Sequence, residues 1–247
     1  FKDFSELTLR CSLEPGSHIG KTGSCAEAIG KSGIKKVVIG SKDPNPKVCG
    51  KGIKILEKNK INVITGIHEK LVEKQNKFFF YKHNNKKPFI TLKIASSMDG
   101  KSHFDNGKKT IITTKDSRKD VHLIRALHDA ILTGGNTLRI DNPKMNARVN
   151  FLTNQPRKIL LTKKNINREF KFFDNADVKI FKTRNLNHIV SSIGEDDICS
   201  VLVEAGPMLA NAFLRHGLVD EIIVYKSKKI LGEKGVNWFN KENAIEN

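Results

Sequence analysis

Short β-branched runs, closed by glycine or proline and followed by apolar residues at helical spacing, recur along almost the whole chain. That alternation constrains the fold most. A strand covered on both faces reads as a continuous apolar run, and parallel pairing needs a helix to carry the chain back. Residues 35–40 (KKVVIG) form one such run, and Asp43-Pro44-Asn45-Pro46 stops it. Residues 52–59 then predict a helix with Ile53 and Leu56 on one side. Residues 61–65 predict the next strand, and residues 71–81 a helix ending in a phenylalanine cluster. The polar stretch HNNKK (83–87) before Pro88 is the best candidate boundary and gives domains 1–85 and 86–247. Beyond it, residues 89–95, 130–134, 158–162, 178–181, 199–204 and 222–225 read as strands. Residues 117–129 read as a helix with Thr114 or Asp116 available as its cap. Met208, Leu209, Ala212 and Phe213 stripe another, which Gly217 ends. The pattern predicts α/β layers around a substantially parallel sheet.

Composition narrows the function classes. No apolar stretch among the 247 residues approaches the ~20 needed to span a bilayer, so no membrane partner is expected. The net charge of +18 admits polyanion binding in principle. Lysine, however, outnumbers arginine 35 to 9, alongside 26 isoleucines and 22 asparagines. This is broad compositional bias, short of the residue whose forked donors suit phosphates and base edges, and no nucleic-acid partner is expected. Cys11, Cys25, Cys49 and Cys199 are scattered, which fits a reducing cytoplasm. The opening FKDFSELTLR has neither a signal peptide nor an initiator methionine and reads as the middle of a longer protein.

Several segments pair a chemical reading with a structural one. In EPGSHIGKTGSC (14–25), His18 and Cys25 are zinc-ligand types, but a site needs about three converging ligands. Cys11, in the alternation Leu9, Cys11, Leu13, reads as a small core side chain. The strand opening through Glu204-Ala205-Gly206-Pro207 would set free N–H groups beside an anion, or make an ordinary turn with Glu204 as a solvated cap. Gly134-Gly135-Asn136-Thr137 follows a strand in the same way. Asn136 and Thr137 suit a ribose or phosphate and Arg148 a bidentate phosphate contact; a plain glycine turn with a surface ion pair is the alternative. Asp99-Gly100 reads equally as a hairpin turn. Lys93 sits inside an apolar strand, where its ammonium must find a partner or snorkel outward.

The motifs SLEPGSHIGKTGSC, DPNPKVCGKG, TLKIASSMDGK, AILTGGNTLRIDNP, VLVEAGPMLANAFL and GLVDEIIVY, in this order, resemble one bacterial family. It is the bifunctional riboflavin-biosynthesis family, a diaminohydroxyphosphoribosylaminopyrimidine deaminase fused to a 5-amino-6-(5-phosphoribosylamino)uracil reductase. The resemblance implies an α/β chain: a dihydrofolate-reductase-like reductase domain preceded by the C-terminal part of a cytidine-deaminase-like α/β/α domain. It also implies that the chain is incomplete at both ends, the deaminase's His-x-Glu segment lying before Phe1 and the reductase running past Asn247. In the family's PCxxxGxTPPC pattern Gly16 replaces the first cysteine, Cys25 matches the second, and Gly23 and Ser24 replace the prolines. Cys25 is therefore a vestigial metal ligand, and zinc is expected only if the deaminase half works.

For the reductase half the resemblance implies NADPH, contacted by Ala95, Ile111, Thr137, Asp141 and the stretch Gly206, Pro207, Met208, Leu209, Ala210, Asn211 and Ala212. It implies a phosphorylated ribosylaminopyrimidine held by Lys109, Arg125, Met145, Arg148 and Glu204. Reducing C1′ requires the sugar to open, and Lys93, which matches a strand lysine of the family, and Glu204 are the catalytic candidates for managing that proton. Lys109 and Ile111 stand where the family has serine and tryptophan, and Thr162-Lys163 where it has aspartate and serine. The expected function is riboflavin biosynthesis, by NADPH-dependent reduction of 5-amino-6-(5-phospho-D-ribosylamino)uracil to the ribitylamino compound. The alternatives are a bifunctional enzyme that also deaminates the 2,5-diaminopyrimidine with zinc, and a non-catalytic remnant binding a nucleotide or partner. A homo-oligomer is a further expectation.

Overall fold

A computed structural model describes residues 4–20, 22–151 and 154–239 and divides the chain between Asn85 and Lys86. The first unit contains β1 (Thr8–Leu13), α1 (Cys25–Lys31), β2 (Lys36–Ser41), α2 (Lys51–Lys58), β3 (Asn62–Thr65), α3 (Glu69–Gln75) and α4 (Lys77–Asn85). Its strands form a parallel sheet in the order β1-β2-β3. The β-branched run of β2 lies in the middle, and Val37 and Ile39 pack with Ala26, Ile53, Leu56 and Ile61. Each such buried aliphatic side chain contributes roughly 1.5–3 kcal/mol. Buried Glu14 ties the unit together. Its carboxylate accepts from the backbone N–H groups of Asp43, Gly50, Gly52 and Ile53, where the start of α2 leaves donors unpaired. Gly52 permits this approach, since a Cβ there would lie 2.0 Å from the Pro15 carbonyl oxygen.

The expected helix over 71–81 is two helices. Asn76 ends the first, donating from Nδ2 to the Val72 carbonyl at 2.9 Å. The polar HNNKK stretch is helical as far as Asn85 rather than a linker. Cys11 is half-buried on β1 and lies outside the core cluster.

The second unit contains β4 (Phe89–Ser96), β5 (Lys101–Phe104), α5 (Lys115–Ala126), β6 (Ala130–Gly134), α6 (Gly135–Asp141), β7 (Arg157–Leu161), β8 (Val178–Phe181), α7 (Leu186–Glu195), β9 (Ser200–Glu204), α8 (Pro207–Arg215), β10 (Glu221–Lys226) and β11 (Gly235–Asn237). Six strands pair in the order β10-β4-β9-β6-β7-β8, every pair parallel, while β5 and β11 form a separate antiparallel ribbon. One sheet face carries Leu92, Leu132 and Val203 against Ile189, Ile193 and Phe213 of α7 and α8. The other carries Ile131, Leu160 and Leu202 against Leu138 of α6, Phe172 and Ile124 of α5. Asp129 Oδ2 accepts from the backbone of Cys199 and Ser200 and so pins the start of β9 beside that of β6.

Strands β6, β7 and β8 step outward in one direction, whereas β9 lies on the opposite side of β6. The winding therefore reverses between β6 and β9. In open parallel sheets the crevice beyond the carboxyl ends of two such strands receives ligands.

Candidate active site

Strand β9 is buried along its whole length and ends in Glu204, which is 6% exposed. A lone carboxylate there would be forced neutral. Three donors prevent this. Lys93, paired in register with Glu204 across β4 and β9, places Nζ 3.0 Å from Oε2. Arg125, from the last turn of α5, donates from Nε to Oε1 at 2.5 Å and from Nη2 to Oε2 at 3.0 Å. Burial works to raise the Glu204 carboxyl, but Lys93 and Arg125 together outweigh it and hold the group at about 2. Two cations face one anion, so the cluster keeps a net positive charge in a poorly solvated place, where it attracts an electron-rich oxygen.

Around this cluster the chain brings further groups. Asp141 closes α6, half-buried; burial pushes its carboxyl up, and Lys109, His103 and Lys93 partly offset that. The third Arg125 nitrogen, Nη1, donates to the Asn146 carbonyl at 3.2 Å. His122, one turn earlier on α5, has Nδ1 3.1 Å from the same carbonyl, and burial with Arg148 and Arg125 nearby lowers its pKa. Tyr225 on β10, opposite Ala95 in register, donates to Asp120 Oδ2 at 2.5 Å. Burial and Asp120 hold its phenol well above the usual value.

The expected binding residues divide by placement. Lys93, Glu204, Arg125 and Asp141 converge. Each Arg125 nitrogen already has a partner, Nε and Nη2 on Glu204 and Nη1 on Asn146, which leaves one further N–H on each of Nη1 and Nη2. Arg148 is exposed, with one guanidinium nitrogen on Asn146 Oδ1, and remains accessible to an anion. The Met145 side chain is buried in the core at φ +47°, so only its backbone can face a ligand.

Gly206 caps α8 without a side-chain hydrogen bond, Pro207 takes the first turn, and Met208 is 79% exposed. Ala210 packs in the core. Asn211 is committed too, its Nδ2 donating to the carbonyls of Pro207 and Trp238. Of the expected stretch, then, Gly206 to Leu209 offer the accessible surface, and Ala212 is half-buried. Leu209 comes 3.3 Å from where a Cβ on Gly134 would stand, so the starts of α6 and α8 meet at the crevice. Thr137 lies half-buried on α6, while Lys109 and Ile111 are exposed ahead of α5. Glu204 is no solvated cap, and Lys93 has the partner that its apolar strand demands.

In the first unit, Cys25 opens α1 and is exposed. Ser24 caps that helix by accepting from Glu27 N–H and donates to the Gly16 carbonyl. Gly16 contributes no ligand atom, and among the described residues no three His, Cys, Asp or Glu side chains come together to hold a metal. The residues present do not fit a zinc ion. Among the described residues no helix is long and apolar enough to cross a membrane.

A family model described as the RibD C-terminal domain matches residues 88–246. The riboflavin biosynthesis protein RibD of Aquifex aeolicus is 35% identical over 250 residues, covering 92% of this chain and 70% of that protein. The chain belongs to the RibD family. Its structure resembles Acinetobacter baumannii RibD with a TM-score of 0.85 at 34% identity, covering 93% of this chain and 71% of that one. A Thermotoga maritima structure, described as a diaminohydroxyphosphoribosylaminopyrimidine deaminase/5-amino-6-(5-phosphoribosylamino)uracil reductase, matches at 0.80 and 34% identity over 92% of this chain and 69% of that one. The family and the α/β dihydrofolate-reductase-like fold expected of the second unit are thus both found, and the chain is a riboflavin-biosynthesis reductase.

Sequence reasoning had no role for Glu14, Tyr225 or Asn146. Their partners lie 21 to 105 residues away, a separation at which spacing carries no signal. The [Ser24]-x-x-[Glu27] start of α1 was readable as a capping box.

Proposed function

We propose that the second unit uses NADPH to reduce 5-amino-6-(5-phospho-D-ribosylamino)uracil at the sugar carbon that bears the amino link. The buried Lys93–Glu204–Arg125 cluster at the winding reversal carries this reading. The names of the structural neighbours supply the substrate, and the surface at the start of α8 suits a dinucleotide. Gly206 has open space where a Cβ would stand, and Gly134 lets the two helix starts close together. Gly206, Met208 and Leu209, with Thr137 of α6 and Ala95 of β4, would hold the cofactor. When bound, NADPH supplies a hydride.

The chain's own groups manage the sugar. Opening the ribosylamine ring breaks the C1′–O4′ bond, and O4′ then needs a proton. The Lys93 ammonium turns from Glu204 toward O4′ and supplies that proton. Glu204 aims Lys93, and Arg125 fixes Glu204. Arg148, exposed beside Asn146, takes the 5-phosphate. The first unit, with Gly16 in place of a thiolate, performs no zinc-dependent deamination.

Lys93→Ala and Arg148→Ala separate these roles in steady-state NADPH oxidation. Lys93→Ala lowers kcat by about 100-fold with little change in KM, as loss of a general acid does. Arg148→Ala mainly raises KM for the phosphorylated substrate. Equal losses in kcat and KM for Lys93→Ala would remove its assigned role.

A further inference from the structure

Thr133, near the end of β6, is fully buried. Its Oγ1 is the one buried side-chain polar atom without a hydrogen-bond partner among the described residues. A hydroxyl left so destabilises the folded state, and a methyl group of the same shape would not. Its position suggests what the hydroxyl is for. The β6–β9 ladder pairs Ile131 with Leu202 and Leu132 with Val203, and one further step in that register would set Thr133 beside Glu204. Glu204 in turn pairs with Lys93 on β4. Lys93, Glu204 and Thr133 therefore stand in one row across three adjacent strands, on the face that carries Ile131 and Leu202.

We infer that Thr133 is a positioning residue whose hydroxyl takes up the Glu204 carboxylate when Lys93 turns from Glu204 to the substrate. The inference rests on the reductase reading above. In the ligand-free arrangement Glu204 accepts from Lys93 once and from Arg125 twice. Once Lys93 serves the sugar oxygen, Oε2 loses a donor while remaining ionised and buried. With Lys93 turned away, the donor left beside Glu204 in the row is the Thr133 hydroxyl. Because Oγ1 is closed off from solvent, it acts through Glu204 and not on the substrate. The unpaired state at rest and the paired state at work also favour the movement of Lys93, since the exchange satisfies a group that was unsatisfied.

Thr133→Val and Thr133→Ser in the full chain test this by NADPH oxidation and by thermal unfolding without ligand. Thr133→Val should lower kcat about tenfold, the worth of one hydrogen bond to a charged group, with KM for both substrates unchanged. Its Tm should rise above that of the wild type, and Thr133→Ser should restore kcat. A Thr133→Val enzyme as fast as a working wild type overturns this inference alone. So does a Thr133→Ser enzyme as slow as Thr133→Val, which would mean that shape matters and not the hydroxyl. A wild type that oxidises no NADPH overturns the reductase reading, and this inference with it.

Discussion

Glu204 is ionised only because two cations hold it so, and that makes its charge a measurable quantity. Its carboxyl lies at about 2, against an ordinary 4.5. A carboxylate depressed in the folded state stabilises the fold at pH above its unfolded value, and that stability is lost as pH falls through the folded value. Urea midpoints of the wild type should therefore be flat from pH 7 to about 5 and fall between about 4.5 and 2. Glu204→Gln strands Lys93 and Arg125 in a buried place and should cost about 3 kcal/mol at pH 7, with the acid slope reduced. An unchanged midpoint at pH 7 would show that the cluster is not energetically coupled. At this scale the sequence revealed less than at any other. An apolar strand around Lys93 demanded a partner, but nothing local named it, because Arg125 and Glu204 are 79 residues apart. Only the resemblance to known motifs put all three in one site, and it did not pair Arg125 with Glu204.

Among the elements, β-branched runs were the readable part, since residues 130–134 and 178–181 are strands with the expected bounds and the others shift by a residue or two. A run buried on both faces has few alternatives. Helix α7 carries an equally plain signal, with Leu186, Ile189, Val190 and Ile193 on one face behind an Asn185 cap. Helix α6 hid for a physical reason: it starts at Gly135 directly after Gly134, and paired glycines read as a turn. The two glycine-started helices give opposite predictions. A Cβ on Gly206 meets nothing within 4 Å, whereas one on Gly135 would lie 2.6 Å from Thr162 Oγ1. Gly206→Val should leave stability within about 0.5 kcal/mol of wild type while raising KM for NADPH several-fold. Gly135→Val should lower Tm. A Gly206→Val enzyme with normal KM would move the cofactor away from the start of α8.

Across the molecule, the α/β layering and a mainly parallel sheet followed from the alternation of strand and helix, but the order β10-β4-β9-β6-β7-β8 did not. Strand order is set by which helices cover which face, and a one-dimensional pattern does not record that. The reversal between β6 and β9 decides where the crevice lies, and it brings the segment of Glu204 and Gly206 to the start of α6, which carries Thr137. The central claim is that this crevice delivers hydride to an opened ribosylamine. It is tested most directly by incubating the protein with 5-amino-6-(5-phosphoribosylamino)uracil and NADPH deuterated at C4 of the nicotinamide, then analysing the product by mass spectrometry and NMR. The expected result is the ribitylamino compound with one deuterium at C1′, formed in step with NADPH oxidation. Deuterium elsewhere in the product, or NADPH consumed with no ribityl product, would contradict it.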